Sequence, residues 1–180
     1  MVKAILEGQK TVTRRIIKSQ PESIRKSPFV KSGLETNHGY EIKPYAMPGQ
    51  ILWVRETFTI VKTLYDNDIY FYKADNNKNG AYKVEGGDLC TFDNTEIKWK
   101  PSLFMPREAC RIFLEVLDVR AERLQEITPD DILKEGLTGD DLLGSWKKLW
   151  DGINAERGFP WSDNPWVWRI EFKRTEKSDL

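Results

Sequence analysis

The sequence predicts a mixed β/α fold, a small curved sheet or barrel with helices packed on it. Three observations point there. The elements run helix, strands, two helices, strand, and strands do not alternate regularly with helices, which disfavours a doubly wound sheet. The segment 166–172 alternates Trp166, Trp168, Ile170 and Phe172 with Val167, Arg169 and Glu171, the period of a strand with an inner and an outer face. The segment 140–157 carries Leu142, Leu143, Trp146, Leu149, Trp150 and Ile153 at helical spacing, one apolar stripe.

The other elements follow in chain order. A short apolar-periodic segment, 2–6, predicts a first helix, and Gly8 behind it is a natural left-handed C-cap. Residues 19–48 are rich in Ser, Pro, Gly and Lys without periodicity and read as a long loop. Pro48-Gly49 is a turn signal, after which 51–56 forms a strand, continued by 57–62 past a bend. A further short strand is expected at 69–72. Residues 75–96 are rich in Asn, Gly and Asp and read as a surface excursion. Residues 111–119 are the longest strand candidate. Ile112, Leu114 and Val116 lie on one face and Phe113, Leu117 and Val119 on the other, which implies burial on both sides. Thr128 then caps a short helix with Pro129 at its first position and acids in its first turn, and Gly136 ends it. Gly144 is a weak point in the long helix that follows. The tail from Arg174 is charged and expected to fray.

The chain has 180 residues, the size of a single domain spanning 1–180 with a proper core. Its 28 basic and 28 acidic residues balance to a formal charge of zero, which argues against bulk electrostatic capture of long nucleic acid. The distribution is uneven. Residues 1–31 hold eight basic side chains against Glu7 and Glu22, while 120–144 hold three basic against seven acidic. Two cysteines without CxxC spacing argue against a disulfide framework and a zinc site, so neither metal nor cofactor is expected. The single histidine, His38, lies in a turn-like context and makes a serine–histidine triad improbable. No apolar run approaches a membrane span and no signal peptide opens the chain, so a cytoplasmic protein is expected.

The densest chemistry stands at 8–15. Three cations and two hydroxyls, Lys10, Thr11, Thr13, Arg14 and Arg15, follow Gly8. Side chains just beyond a helix stop can converge on one spot, where lysine and arginine suit a phosphate or a polarised carbonyl. A solvated turn with a basic rim is the competing reading. Trp53, Arg55 and Glu56 form a second cluster. An aromatic beside a guanidinium can stack a base, whereas a core tryptophan and an ion-paired arginine would be purely structural.

Gly8-x-Lys10-x-x-x-x-Arg15 resembles the signature of ASCH domains, a branch of the PUA-like superfamily. The stretches 48–56, 99–107 and 164–168 resemble a phage- and prophage-encoded subgroup, so the likeness covers nearly the whole chain. It implies a PUA-like β-barrel with flanking helices, and binding of RNA or modified nucleosides. Relatives usually carry a strand ahead of the first helix, without which the barrel would be incomplete. One branch of the superfamily removes the acetyl group from N4-acetylcytidine with a lysine, a threonine three residues later and a glutamate on a later helix. Lys10 and Thr13 have that spacing, and 128–135 is similar to the segment that bears the glutamate, which implies Glu135.

The chemistry of that trio is straightforward. Threonine is a weak nucleophile until a base takes its proton. A lysine partly buried beside Arg14 or Arg15 has its pKa lowered and can be that base. An arginine can hold a developing oxyanion, and a glutamate can protonate a leaving amine. Glu135 as a solvated carboxylate at a helix end, where the dipole disfavours it, is the alternative.

Three functional readings follow. The chain binds RNA or a modified nucleoside in a basic cleft through Gly8, Arg14, Arg15, Trp53, Arg55 and Glu56, with Lys10, Arg15 and Arg55 lining it. Alternatively it is an amidohydrolase using Lys10, Thr13 and Glu135, or a phage accessory protein that contacts an unknown protein partner through 75–96.

Overall fold

A computed structural model of the chain describes residues 1–26, 28, 34–62, 68–75, 81–83, 89–91 and 98–176. In order, the elements are α1 (Val2–Leu6), β1 (Val12–Ile16), β2 (Ile24–Lys26), β3 (Leu34–Thr36), β4 (Ile51–Trp53), β5 (Phe58–Lys62), β6 (Asp68–Tyr72), β7 (Ala81–Lys83) and β8 (Leu89–Thr91). There follow β9 (Phe113–Arg123), α2 (Pro129–Lys134), α3 (Leu142–Asn154) and β10 (Trp166–Thr175). The main sheet is a curled antiparallel half-barrel in the order β1-β10-β9-β4. The strands expected at 51–56, 111–119 and 166–172 thus share one sheet. The segments at 57–62 and 69–72 instead pair with each other, as the hairpin β5/β6.

The curl has a local cause. Glu171 faces Asp118 and Phe172 faces Val116, so Leu117 has no partner across the ladder. One extra residue on β9 makes a bulge, which bends and twists the strand. It also turns Leu117 out to solvent, 45% exposed, which corrects the reading that put Leu117 on a buried face.

Both faces of β10 are covered. Trp168 and Ile170 pack with Ile17, Ile42, Ala46 and Val116 on one side. Phe172 continues that side with Ile5, Ile112 and Leu114. On the other side Val167 packs with Leu124, Ile127, Ile132, Trp146 and Trp150 beneath the helices. The simple inside/outside alternation is therefore incomplete, because Val167 and Arg169 are as buried as their neighbours. A third cluster, Phe58, Met105, Ala109, Cys110 and Phe113, lies under the β5/β6 hairpin.

The helix signals act as anticipated at their starts. The Thr128 hydroxyl accepts the Asp131 N–H at 3.2 Å, and the Asp141 carboxylate accepts the Gly144 N–H at 2.8 Å. A Cβ at position 144 would run into that carboxylate, so the glycine lets the cap close. The stripe of α3 is only half a core. Trp146 and Trp150 are buried, with ring centroids 6.0 Å apart, but Leu143, Leu149 and Ile153 are exposed.

Two stretches differ from a plain loop reading. Residues 19–48 contain the hairpin β2/β3, with Ile42 buried behind it. In 75–96, β7 and β8 pair, and the remaining residues after Asp75 lie outside those described. The charged tail is strand as far as Thr175, where Lys173 pairs with Glu115 at 2.9 Å.

Trp150 is 3% exposed and donates its indole N–H to Phe159 O at 2.9 Å. Trp150→Ala is expected to cost about 3–5 kcal/mol in urea unfolding. A loss below about 1 kcal/mol would mean that α3 does not pack on the sheet as described.

Candidate functional site

The site starts from the turn after α1. Gly8, at φ +73°, donates to Ile5 O at 3.1 Å, and Gln9 donates to Ala4 O at 2.8 Å. These two bonds are the Schellman pattern that closes a helix on a left-handed glycine. The chain leaves it extended and meets the end of α2. Lys10 and Glu135 form an isolated antiparallel bridge, and Thr11 N–H donates to Lys134 O at 2.8 Å. The close approach depends on Gly136, at φ +84°. A Cβ there would stand 2.8 Å from the Ala4 Cβ and 3.1 Å from the Lys10 Cβ.

The Lys10 ammonium therefore lies against Glu135. It donates to Oε2 at 2.5 Å and to the Glu135 carbonyl at 3.0 Å, and both side chains are buried. Burial pushes the Lys10 pKa below its ordinary 10.5. The Glu135 carboxylate opposes that shift, and Arg15 and Arg14 add to it. The arrangement differs from the expected pairing of Lys10 with Thr13. In an extended chain, residues three apart point to opposite faces. Lys10 and Arg14 share the α2 side, and the Thr13 hydroxyl instead accepts from Arg15 Nη1 at 2.9 Å.

Arg14 is the centre of a buried ionic cluster. Its guanidinium reaches Glu122 on β9 at 2.7 Å, Asp131 on α2 at 2.7 Å and Glu135 at 3.2 Å. Arg169 stands opposite Arg14 in the ladder and donates to the other Asp131 oxygen at 3.0 Å and to Glu171 at 2.8 Å. Burial alone would raise the Asp131 pKa, but hydrogen bonds and charge from Arg169 and Arg14 hold it below its ordinary 3.8. Glu135 is thus clamped by two cations, which removes the reading of it as a solvated helix-end carboxylate.

A cleft of about 1050 Å³ runs along β1. Thr13, Arg14, Arg15 and Glu135 line it, together with Trp146, Leu149, Trp150 and Ile153 from the α3 side and Trp168 from β10. Lys10 lies behind Glu135 and is not part of the lining, nor is Gly8. Two of the three trio residues therefore line one cleft, from opposite faces of β1, with the third holding Glu135. The apolar residues of α3 left exposed outside the core, Leu149 and Ile153, are part of its wall. The Trp146 indole N–H is buried without an acceptor among the described residues.

The second cluster is elsewhere. Trp53, Arg55 and Glu56 do not line the cleft, which corrects the expectation that Lys10, Arg15 and Arg55 share it. β4 and β1 are opposite edges of the sheet, so the two clusters are separated by its width. Arg55 stacks over the Trp53 ring at 4.9 Å and donates to Leu103 O at 3.2 Å. Glu56, 1% exposed, takes both of its oxygens to Arg111, at 2.8 and 2.9 Å, and Arg111 also grips Asp75. Glu56 is a structural pin. His38 is exposed in its turn.

Sequence reasoning missed Glu122, Asp131 and Arg169. The excess of acids in 120–144 facing the basic start of the chain was the available signal. Among the described residues no group of His, Cys, Asp or Glu could hold a metal ion, and no helix is long and apolar enough to cross a membrane. Comparison of the chain with protein-family models, curated proteins and solved structures finds no match.

The depressed Asp131 pKa has a pH consequence. The folded value lies below the unfolded one, so its stabilisation is complete above the unfolded pKa and is lost as pH falls through the folded value. Wild-type stability is expected to drop on acidification from pH 7 to about pH 3. Asp131→Asn should cost about 3–5 kcal/mol at pH 7, by leaving buried cations short of a partner, and should shrink the difference between the two pH values. Urea unfolding at both pH values checks this, and an unchanged pH difference would contradict it.

Proposed function

We propose that this chain binds a nucleoside, free or within short single-stranded RNA, in the cleft along β1. The observation that carries the reading is the mixed lining of that cleft. Trp168 lies beside Arg15 and Thr13 on one face of the sheet, and Trp146 and Trp150 of α3 line the cleft from the other face. Unpaired bases are recognised by stacking on aromatic or guanidinium planes and by hydrogen bonds to their edges. The cleft is at the upper end of small-ligand sites, roomy enough for a nucleotide-sized molecule. The full fold under this reading is a PUA-like ASCH barrel with flanking helices, of which the curled half-barrel is the coarser part. The setting is cytoplasmic.

A second reading is favoured by one specific observation: Thr13 and Glu135 line the same cleft while Lys10 holds Glu135. In it the chain hydrolyses the amide of an N4-acylated cytidine. Thr13 supplies the attacking hydroxyl and Arg15, which touches it, holds the developing oxyanion. The Lys10–Glu135 pair moves the proton from the hydroxyl to the leaving amine, and water then cleaves the acyl ester left on Thr13, releasing the carboxylate and restoring the hydroxyl. Since Lys10 does not reach Thr13 directly, one water would bridge them, or the pair would rearrange on binding.

Calorimetric titration with a nucleoside panel and short single-stranded RNA tests binding. Affinity for the RNA is expected to exceed that for duplex DNA of equal length and to fall as salt rises. Salt-independent binding, or a preference for duplex, would count against the cleft.

Incubation of the same panel, N4-acetylcytidine included, with mass detection tests turnover. Loss of the acetyl group is expected in wild type, with at least about a hundredfold loss of rate in both Lys10→Ala and Thr13→Ala. Turnover that survives both substitutions, or is absent in wild type, removes the enzyme reading and leaves the binding one.

A further inference from the structure

We infer that the cleft takes its ligand as a phosphorylated nucleotide and not as the neutral nucleoside; this rests on the reading of the cleft as a nucleoside site. The argument is a matter of which charges are already matched. The buried cations are spent. Lys10 is held by Glu135, and Arg14 by Glu122, Asp131 and Glu135. The cations facing the cleft are not. Arg15 donates from Nη1 to the Thr13 hydroxyl and to Arg14 O, both neutral, and its other guanidinium donors have no partner among the described residues. Arg157 donates from Nη1 to Asn154 Oδ1 at 3.3 Å and meets no carboxylate among the described residues. Lys18 has no ion-pair partner among the described residues, yet all three line this one cleft.

The carboxylates of the lining do not balance them. Glu135 is already shared between Lys10 and Arg14. Glu41 stands 3.9 Å from the ammonium of Lys43, a further cation of the lining. The chain as a whole is neutral, so this excess is local to the cleft. Like charges gathered in a concave, partly apolar site focus their field into it and raise the local concentration of anions. A neutral nucleoside would use the indole wall and the Thr13 and Glu135 end, but would leave the three cations facing water. A phosphate monoester carries about −1.5 to −2 charge at pH 7 and three strong acceptor oxygens. Two arginine forks and an ammonium are the side chains suited to it.

Titration calorimetry at low salt with the four ribonucleosides and their 5′-monophosphates tests this. The monophosphates are expected to bind at least about tenfold more tightly, the worth of one charge-assisted hydrogen bond. In a Lys18→Gln/Arg157→Gln double variant the gap should close to within about twofold, with nucleoside affinity unchanged. Both side chains are exposed, so an unaltered thermal melt should accompany the loss. Competition by a short single-stranded RNA bearing a 5′-phosphate would assign the phosphate to an RNA end, and its failure to compete would assign it to the free nucleotide; either outcome supports the inference. Equal affinities of nucleosides and monophosphates would overturn it and leave the nucleoside reading standing. A gap that survives the double variant would overturn it as well. Absence of binding by both classes would overturn the nucleoside reading and the inference together.

Discussion

The buried guanidinium of Arg14 is the contact on which the rest of the arrangement depends. A charge withdrawn from water is costly unless it is paired and hydrogen-bonded. Arg14 meets that requirement only by gathering Glu122 from β9 and Asp131 and Glu135 from α2 and the turn behind it. Asp131 in turn needs Arg169, which sits on β10 directly opposite Arg14. Each carboxylate has cations on it and each cation has carboxylates, so no member can leave without stranding another. The set ties β1, β10 and β9 to α2, and it covers the sheet face that Val167 shares with Trp146 and Trp150.

The cleft is a consequence of that pinning. Holding α2 against the start of β1 brings Glu135 to Lys10 and leaves Arg15 exposed beside the buried Thr13 on the other face of the strand. The long helix then packs through Trp146 and Trp150 but cannot seat its whole apolar stripe. Leu149 and Ile153 remain uncovered, which is costly in water, and form part of the cleft wall. Apolar and charged groups are therefore interleaved around the cleft: Trp168 shares a sheet face with Thr13 and Arg15, and Arg157 follows the α3 stripe.

The same physics operates at the far edge of the sheet. Arg111 clamps Glu56 and Asp75 and lies over the Tyr72 ring at 3.9 Å, fixing the β5/β6 hairpin to the beginning of β9. There Glu56 and Asp75 are matched by Arg111, so the acid of the second sequence cluster is taken up in an ion pair, while Arg55 rests on the Trp53 ring and the Leu103 carbonyl.

What the sequence by itself determined is local. Schellman glycine and Thr128 cap express short-range sterics and hydrogen bonding and are found where their residues stand, while periodicity placed the 166–172 strand and the α3 helix but not the burial of Val167 and Arg169 or the exposure of Leu143, Leu149 and Ile153. Lys10 and Thr13 stood out in the dense stretch 8–15 by type and spacing, whereas Glu135 was pointed to only by the resemblance of 128–135. Their partners were not legible. Whether Lys10 meets Thr13 or Glu135 depends on how the end of α2 docks on β1, a contact across 125 residues. The bulge that expels Leu117 arises from the register between β9 and β10, and the separation of Arg55 from Arg15 from the order of strands in the sheet. Tertiary structure decided all three, because burial and long-range charge pairing are properties of surfaces brought together and not of any one segment.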